Sequence, residues 1–547
     1  MPRVKDTPSL EDFEALASGV GEFQPRSNDR TARLVLQAML REGMLANCLQ
    51  EWDGKLLTLR SPDVELRVAG RWAGNGDRFF TTAGAPDLGF FLEKLRRLAG
   101  LGETPAWADF VEEVTQAALT QAVAYQRADM RSEPKEYLDF EAWTPEGHNL
   151  HPGAKTRAGF DALDQMRYAP ELADTIELPW LAVNKELLQR AGEVDPLFEL
   201  DDQEWAVPVH PWQLARVLPD LYGSEMAKGL MRPLDREPVV CRLCTSLRTV
   251  VPLDQSLPTL KTSVGSLMTS TERSMSRFTV LQGPVYSEYL RQIFERENFG
   301  ESVLALDEFG GFCWREDQDE RRARNLSLLF RQRAPRVERG VAVPSSTLTQ
   351  PVWRDPSRTY FHHLFGQGLG PLHNFDRYLE LMVPFHLELY LRHGLALEAH
   401  LQNCVVVWDE QGPERLWVRD WGGLRADAEK LQRLAPDVLA RLDERSVSLS
   451  TAVAAERKLI ACLYCNHLTE VVAGVSLAFD LPEEELWARV GRISARVFRD
   501  NSGSELEEQV LRQPWPVKCL LKMRITPKSS GDLYWMKENP LKSHLSA

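Results

Sequence analysis

Four short segments concentrate residues suited to handling anions and metal ions. The first, GHNLHPGAKTRAGF, sets His148, His151, Lys155 and Arg157 within ten residues between Gly147 and Gly159. Glycine and proline on both sides shape a loop whose cations converge on one phosphate or carboxylate. A solvated basic turn is the competing reading, because lysine and arginine are usually exposed. The second, VPVHPWQL, runs a strand-like stretch into His210, Pro211, Trp212 and Gln213 and repeats the His-Pro pair of the first. A histidine at a strand end also serves as a turn cap. The third, LKTSVGSLMTSTERSMSR, carries Lys261, Ser263, Thr269, Ser270, Thr271, Arg273 and Arg277. Hydroxyls interleaved with guanidinium forks suit a phosphate chain, since both donate to anionic oxygens. A Ser/Thr-rich loop with chance arginines fits the same letters. Downstream, Ser287 and Arg291 in GPVYSEYLRQIF offer one more donor pair to that pocket, although any amphipathic helix carries surface arginines.

The fourth segment, EAHLQNCVVVWDEQGPERLWVRDWGG, is the most informative. Two apolar runs flank Asp409 to Glu414, which predicts a β-hairpin. With Trp408 opposite Leu416, antiparallel pairing puts Asp420 near Cys404, beside Asn403 and His400. Glu398, His400, Gln402, Asn403, Arg419 and Asp420 then gather at one end of the hairpin. An asparagine and an aspartate held together are hard oxygen ligands for a Mg2+ that bridges nucleotide phosphates. Kinases hold their metal with the same pair of residue types. Ionisable groups next to a core are paired or functional, which favours chemistry over a solvated face.

Other motifs are absent. No GxxxxGK[ST] loop occurs, and the glycines from Gly366 to Gly370 lack the flanking strand and helix of a dinucleotide fingerprint. Side chains must therefore hold any nucleotide phosphates. Without a Gly-x-Ser-x-Gly elbow or a His-Glu-x-x-His, hydrolase readings lose their usual support. Cys241 with Cys244 and Cys462 with Cys465 have zinc-like spacing. The first pair falls on a strand-like run, where residues three apart face opposite sides, and the second on an apolar helix where cysteines pack as small hydrophobes. Reduced, structural thiols are expected.

These segments need a large scaffold. The 547 residues exceed one core, which stops growing near roughly 250 to 300 residues, so several subdomains are expected. Residues 1–140 read as mainly helical, with LVLQAMLREGML and FLEKLRRLA amphipathic and a strand pair around KLLTLRSPDVELRVAG. Residues 141–345 read as mixed α and β, with WLAVN, WAVPVH, VVCRLCTSLRTVVP and RFTVL as strands. The basic, Pro-containing stretch RQRAPRVERGVAVPSSTLTQPVWRDPSRT reads as a linker or long surface loop. Residues 346–547 carry a long helix, YLELMVPFHLELYLRHGLALEAH, then the hairpin and further helices. The fold class is α+β. A net charge of -14 argues against a nucleic-acid partner. Acidic residues stand where a signal peptide needs an apolar run, and no stretch reads as a membrane span, so a cytoplasmic location is expected.

In this order the four segments resemble the NRPS-independent siderophore synthetases, the IucA/IucC family. The matching pieces are His-Pro followed by Lys155 and Arg157, then His210-Pro211-Trp212-Gln213, then Lys261 with Thr269-Ser270 and Arg273, then Glu398-x-His400-x-Gln402-Asn403 with Arg419-Asp420. VKCLLKMRI and ENPLKSHL look like the closing motifs, so the likeness spans residues 147 to 542. It implies a hand-like architecture with thumb (1–140), fingers (141–345) and palm (346–547). It also implies that a carboxylate of citrate or a related acid attacks the α-phosphate of MgATP, and that an amine or hydroxyl then displaces AMP. Lys155, Lys261, Ser263, Thr269, Ser270, Thr271, Arg273 and Gln402 would serve the nucleotide, and Asn403 with Asp420 the Mg2+. His400, Glu398, Arg157, Ser287 and Arg291 would meet the acid, with His148, His151 and Glu398 the candidates by type for a base. Cations fit the physical demand, because a carboxylate attacking a polyphosphate must overcome repulsion between anions.

The first motif lacks the second proline and aromatic common in the family, and the third has Lys-Thr-Ser-Val-Gly-Ser where longer apolar residues are usual. Neither departure removes a charged group. The likeness alone suggests a homodimer. Two other readings stay open, a kinase-like phosphotransferase on a small molecule and a binding module without turnover.

Overall fold

The computed structural model describes residues 19–73, 78–81, 87–269, 271–297, 299–316, 318–501, 505–526 and 533–544. The N-terminal helix Gln24–Arg41 packs on a four-stranded antiparallel meander (Leu49–Trp52, Leu56–Ser61, Val64–Ala73, Arg78–Thr81) and on helices Leu88–Leu98 and Pro105–Met130. The last begins on a Thr104 cap, whose hydroxyl accepts the Trp107 N–H, with Pro105 in the first turn. Leu36, Met39, Phe79, Leu92 and Phe110 form this core, and Leu521 and Ile525 complete it from the far end of the chain. The buried Glu42 carboxylate fixes that return by accepting the Leu521 and Lys522 N–H groups, at 2.9 and 2.7 Å.

The middle of the chain builds a seven-stranded antiparallel sheet in the spatial order Thr175–Leu178, Val239–Leu243, Thr249–Pro252, Thr259–Thr262, Ser327–Arg331, Glu308–Trp314, Leu188–Gly192. Lys261 sits in the central strand opposite Leu329. The run VVCRLCTSLRTVVP divides into two strands around a turn at residues 244–248. RFTVL, expected as a strand, instead forms the first turns of the helix Arg277–Glu297. Its buried Val280 belongs to a helical series continued by Gly283, Ser287 and Leu290, which a five-residue window does not reveal.

The hairpin Cys404–Asp409 and Gly412–Val418 joins Val303–Ala305 and Val341–Pro344 in a four-stranded sheet. Its register differs by two residues from the expected one. Val406, not Trp408, faces Leu416, and Cys404 faces Val418, because the loop closes between Asp409 and Gly412 with a bulge after Val407. Gly412 makes the tight turn possible. Its φ is +115°, and a Cβ there would meet Asn374 Oδ1 at 2.1 Å. A shift of two preserves which face each residue takes but carries Asp420 past Cys404 to the level of Gln402 and Asn403. The Arg419 N–H donates to the Asn403 carbonyl at 3.3 Å. The stretch expected as a linker is likewise part of this sheet, since Val343 pairs with Val406; the aperiodic residues on either side conceal the strand.

Helices Pro371–His393, Ala452–Phe479 and Glu483–Asp500 cover the hairpin sheet around Phe375, Tyr378, Met382, Trp408, Leu463 and Val490. Ala452–Phe479 is long and apolar enough to cross a membrane, but 78% of its most apolar window is buried inside the protein, as in a core helix. All eight cysteines are free thiols. Among the described residues no three His, Cys, Asp or Glu side chains stand together as a metal cluster.

Candidate active site

A polar cavity of about 550 Å³ opens where the loop after Thr144, the central strands of the large sheet and the end of the hairpin meet. It brings together His148, Lys155 and Arg157 from the first segment, Lys261, Thr269 and Arg273 from the third, and Glu398, His400, Gln402, Asn403 and Asp420 from the fourth.

One wall is cationic. Thr271–Arg273 folds back on Val264–Met268, and the turn between them holds Thr269 at a φ of +56°. Arg273 Nη2 donates to Thr269 Oγ1 at 2.9 Å. Beneath it, Arg248 Nη1 donates to the carbonyls of Arg273 and Ser274 at 3.0 and 2.6 Å, which fixes the loop. Burial, reinforced by Arg248, lowers Arg273 to about 10, so it stays charged at neutral pH. Neither arginine has a carboxylate within ion-pair distance among the described residues. Two desolvated guanidinium groups without a carboxylate in direct contact form a built-in anion site. Arg324 lines the same wall and donates to Ser274 Oγ at 3.2 Å.

The facing wall is a chain of ion pairs. Lys261 Nζ lies 2.7 Å from Asp420 Oδ1 and 3.9 Å from Glu308 Oε1. Burial pushes Asp420 up, but Lys261 and Arg248 outweigh it and hold the carboxyl far below its usual range. Glu308 is fully buried with both oxygens lacking hydrogen bonds among the described residues, and burial raises it to about 7. Asp420 has a φ of +69° and caps the turn Trp421–Gly423 by accepting the Gly422 N–H at 3.2 Å. Aspartate is among the few residues that tolerate such a conformation. Glu398 pairs with Lys458 through Oε1, while its Oε2 lies 3.6 Å from His400 Nε2. Asn403 Nδ2 donates to the Glu398 carbonyl at 3.1 Å, which leaves its amide oxygen as the end available to a ligand.

Several expectations need correction. Lys155 and Arg157 converge on an anion, but it is the protein's own Glu171. Lys155 Nζ lies 2.9 Å and Arg157 Nη2 2.8 Å from Glu171 Oε1. Burial brings Lys155 down to about 8. Ser263 donates to the Arg324 carbonyl and does not line the cavity. Ser287 is buried outside it, where it accepts the Trp421 indole N–H and donates to the Glu308 carbonyl. Arg291 points to the surface and pairs with Asp307 at 2.9 Å. Helix periodicity put Ser287 and Arg291 on a helix correctly but could not say which face meets the pocket. Ser270 and the Thr271 side chain lie outside the described residues.

His148 Nδ1 accepts the Leu150 and His151 N–H groups, each at 3.1 Å, so Nε2 carries its proton. Burial and then neighbouring His151 keep His148 far below its ordinary pKa. His151 accepts the Gly153 N–H and is not part of the lining. His210 caps its helix by accepting the Trp212 N–H at 3.2 Å, the structural alternative for that segment. Arg419 is a clamp. It donates to the Gln402 carbonyl and Tyr137 hydroxyl and pairs with the buried Glu141.

Arg248, Glu171, Glu308 and Lys458 escaped the sequence reading. Arg248 hides in a strand-like run and Lys458 in an amphipathic helix, where a charged residue is unremarkable. Glu308 precedes FGGFCW in a buried strand of aromatic, glycine and cysteine residues, and no local signal marks it.

Residues 136–350 match the model of the IucA / IucC family, and residues 375–533 match the model described as ferric iron reductase FhuF-like transporter. Among curated relatives, D-ornithine–citrate ligase of Staphylococcus aureus is 24% identical over 77% of this chain and 74% of its own. Staphyloferrin A synthase of the same species is 25% identical over 74% and 73%. Among solved structures, petrobactin biosynthesis protein AsbB of Bacillus anthracis superposes with a TM-score of 0.84 at 20% identity, covering 98% of this chain and 99% of that one. ATP-bound aerobactin synthetase IucA of Klebsiella pneumoniae superposes with a TM-score of 0.78 at 20% identity, covering 94% and 99%. At these identities the superpositions establish a shared fold, a mixture of helices and sheets over nearly the whole length. With that fold, with residues 136–350 on the family model and with the first, third and fourth segments lining one cavity, the chain is similar to the IucA/IucC family.

Proposed function

We propose that the chain is an ATP-dependent siderophore synthetase. It adenylates a carboxylate of citrate or a citrate-derived acid, then condenses it with an amine or hydroxyl. The names of relatives, which include D-ornithine–citrate ligase and a citryl-spermidine:spermidine ligase, supply these substrate classes. The observation that carries the reading is the pair Arg248 and Arg273, buried against the cavity with no carboxylate in ion-pair contact among the described residues.

In the first step a carboxylate oxygen attacks the α-phosphorus, the bond to the β-phosphate breaks and pyrophosphate leaves. Arg273, oriented by the Thr269 hydroxyl, and Arg324 neutralise the polyphosphate, which lowers the repulsion between two anions. His148, neutral with its proton on Nε2, serves as a donor. His400, beside Glu398, holds the acid. In the second step the amine nitrogen attacks the acyl carbon, AMP leaves with its oxygen and the amine gives up a proton.

Asn403 and Asp420 fit a Mg2+ ion, which takes one or two protein oxygens plus substrate phosphates and supplies charge neutralisation when bound. The Asn403 amide oxygen and Asp420 Oδ2, which accepts no hydrogen bond among the described residues, are the donors on offer. We assign the N-terminal, middle and C-terminal units to the thumb, fingers and palm of the hand-like description, the location to the cytoplasm, where ATP is abundant, and the assembly to a homodimer.

The test is the nucleotide product formed with ATP, citrate and a mixture of polyamines. AMP and pyrophosphate are expected, with hydroxylamine trapping the activated acid as a hydroxamate. ADP as the sole product would instead establish the phosphotransferase and sink the ligase.

A further inference from the structure

Glu308 is a fully buried carboxylate that no step of the proposed reaction uses, and its strand is bulged in a way that places it. Lys261, Leu329 and Gly311 are cross-strand partners, so they share one face of the large sheet. In unbroken alternation Glu308, three residues before Gly311, would point to the opposite face, among Leu260, Phe312 and Phe330. The register instead slips between Glu308 and Gly310, with Phe309 as the extra residue. Glu308 then stands opposite Arg331, whose other partner is Thr259, two residues from Lys261. The bulge thus turns a carboxylate from the apolar side of the sheet to the Lys261 side.

Two contacts hold it there. The helix Arg277–Glu297 crosses at Gly283, where a Cβ would stand 3.2 Å from Glu308 Cβ and 3.3 Å from Glu308 Oε2, so the helix closes directly over the carboxylate. One turn further on, the buried Ser287 hydroxyl uses its donor and both acceptor positions. It accepts the Glu308 N–H at 2.8 Å and the Trp421 indole N–H at 2.9 Å, and donates to the Glu308 carbonyl at 3.0 Å. Ser287 therefore ties the bulge to the residue that follows Asp420.

The outcome is a row of three charges, in which the Lys261 ammonium lies 3.9 Å from Glu308 and 2.7 Å from Asp420. Burying a carboxylate in this way is costly. With Asp420 alone the ammonium would form a neutral pair with little attraction for a cation, and a cation arriving at Asp420 would repel the ammonium. With Glu308 behind it, two carboxylates share one ammonium, so negative charge remains at the cavity end and Lys261 stays anchored.

We propose that Glu308 is a positioning residue, which holds the Lys261 ammonium from behind so that Asp420 keeps its negative charge and its outer oxygen for a divalent cation. This role rests on the reading of Asp420 as a Mg2+ ligand.

Mn2+ titrated into the full chain with a non-hydrolysable ATP analogue, the free ion followed by electron paramagnetic resonance, tests this without turnover. The titration is run at pH 8, where Glu308, raised to about 7 by burial, is ionised. Glu308→Gln, which keeps the volume, should weaken Mn2+ binding about fivefold or more. Glu308→Asp, which keeps the charge, should weaken it less. In a Lys261→Met background Glu308→Gln should have no further effect, because no ammonium is left to hold. Unchanged affinity in Glu308→Gln, equal losses in the Gln and Asp variants, or the same loss with and without Lys261 overturns the proposal, as does an unaltered chain that binds no Mn2+. Should Glu308→Gln not fold, Ser287→Ala, which leaves every charge in place but unties the turn from the bulge, takes its part; weakened Mn2+ binding is expected and unchanged binding overturns the proposal. AMP formation by the unaltered chain reports on the ligase separately. AMP with unchanged Mn2+ affinity in Glu308→Gln removes the role of Glu308 alone, and the expected Mn2+ pattern without AMP leaves that role standing while the ligase reading falls.

Discussion

Replacing Glu171 by glutamine keeps the side-chain volume and removes the one negative charge that two buried cations share. Glu171 and Lys155 are each 2% exposed as side chains and Arg157 is 9% exposed, so solvent screens these pairs little. Burial pushes the Glu171 carboxyl up, but Arg157 and Lys155 outweigh it and bring it to about 2 from an ordinary 4.5. That depression corresponds to about 3 kcal/mol of stability at neutral pH. The folded pKa is lowered, so the contribution is complete above pH 4.5 and is lost as the pH falls toward 2. Orphaning one partner of a buried pair costs about 3 to 5 kcal/mol, and the lower figure applies because Lys155 has an escape.

Already at about 8 through burial, Lys155 loses the Glu171 attraction that raises it and gives up its proton more readily in the variant. A lysine with a lowered folded pKa binds fewer protons folded than unfolded, so stability drops with falling pH until the folded group protonates. The gap between wild type and Glu171→Gln therefore widens as the pH is taken below 8 and then levels off. Urea unfolding followed by tryptophan fluorescence at pH 6.5 and pH 9 measures this. A shift of about 6 to 12 °C in thermal midpoint is the matching expectation for a unit of 150 to 250 residues. A loss under about 1 kcal/mol with no pH dependence would refute the shared-counter-ion reasoning.

Arg273→Gln keeps the hydrogen bond to Thr269 within reach but removes the charge, and should lower kcat/KM for ATP by at least about 100-fold in a pyrophosphate-release assay. Glu308→Gln removes a carboxyl that burial raises to about 7. The stability of the wild type attached to this proton is present below pH 4.5 and is lost as the pH rises through 7, by up to about 3 kcal/mol, so the variant should show a flat urea midpoint between pH 5 and pH 8 where the wild type declines. Asp420→Asn should raise the Mg2+ concentration needed for half-maximal AMP formation, and EDTA should stop the reaction in the wild type until Mg2+ is restored; an unaltered Mg2+ requirement counts against Asp420 as a ligand. Arg291→Ala, altering an exposed pair with Asp307, should leave ATP and acid kinetics unchanged and stability within about 0.5 kcal/mol.

Local sequence was a good guide wherever the chemistry and the geometry are both local. The hairpin was legible because two apolar β-branched runs flank a polar turn. Its register was not, because register depends on whether Gly412 can turn against Asn374, a contact between residues far apart in the chain. RFTVL and VAVP were misjudged for a related reason: a short apolar run takes the structure of whatever it packs against, which is a helix face for the first and the Cys404–Asp409 strand for the second.

The residue types and their order determined the class of chemistry, since cations, hydroxyls and an Asn with an Asp have few uses together other than phosphate and metal binding. The ordered motifs also carried the resemblance to the IucA/IucC family, whose model residues 136–350 match. Only the tertiary structure decided which charges are free. Lys155 and Arg157 read like ligand-binding cations, yet both pair with Glu171, while Arg248, inconspicuous in a strand-like run, stands buried with no carboxylate in ion-pair contact among the described residues. A charge announces its presence in the sequence, but its availability depends on the partners that folding brings within about 4 Å, and those come from anywhere along the chain.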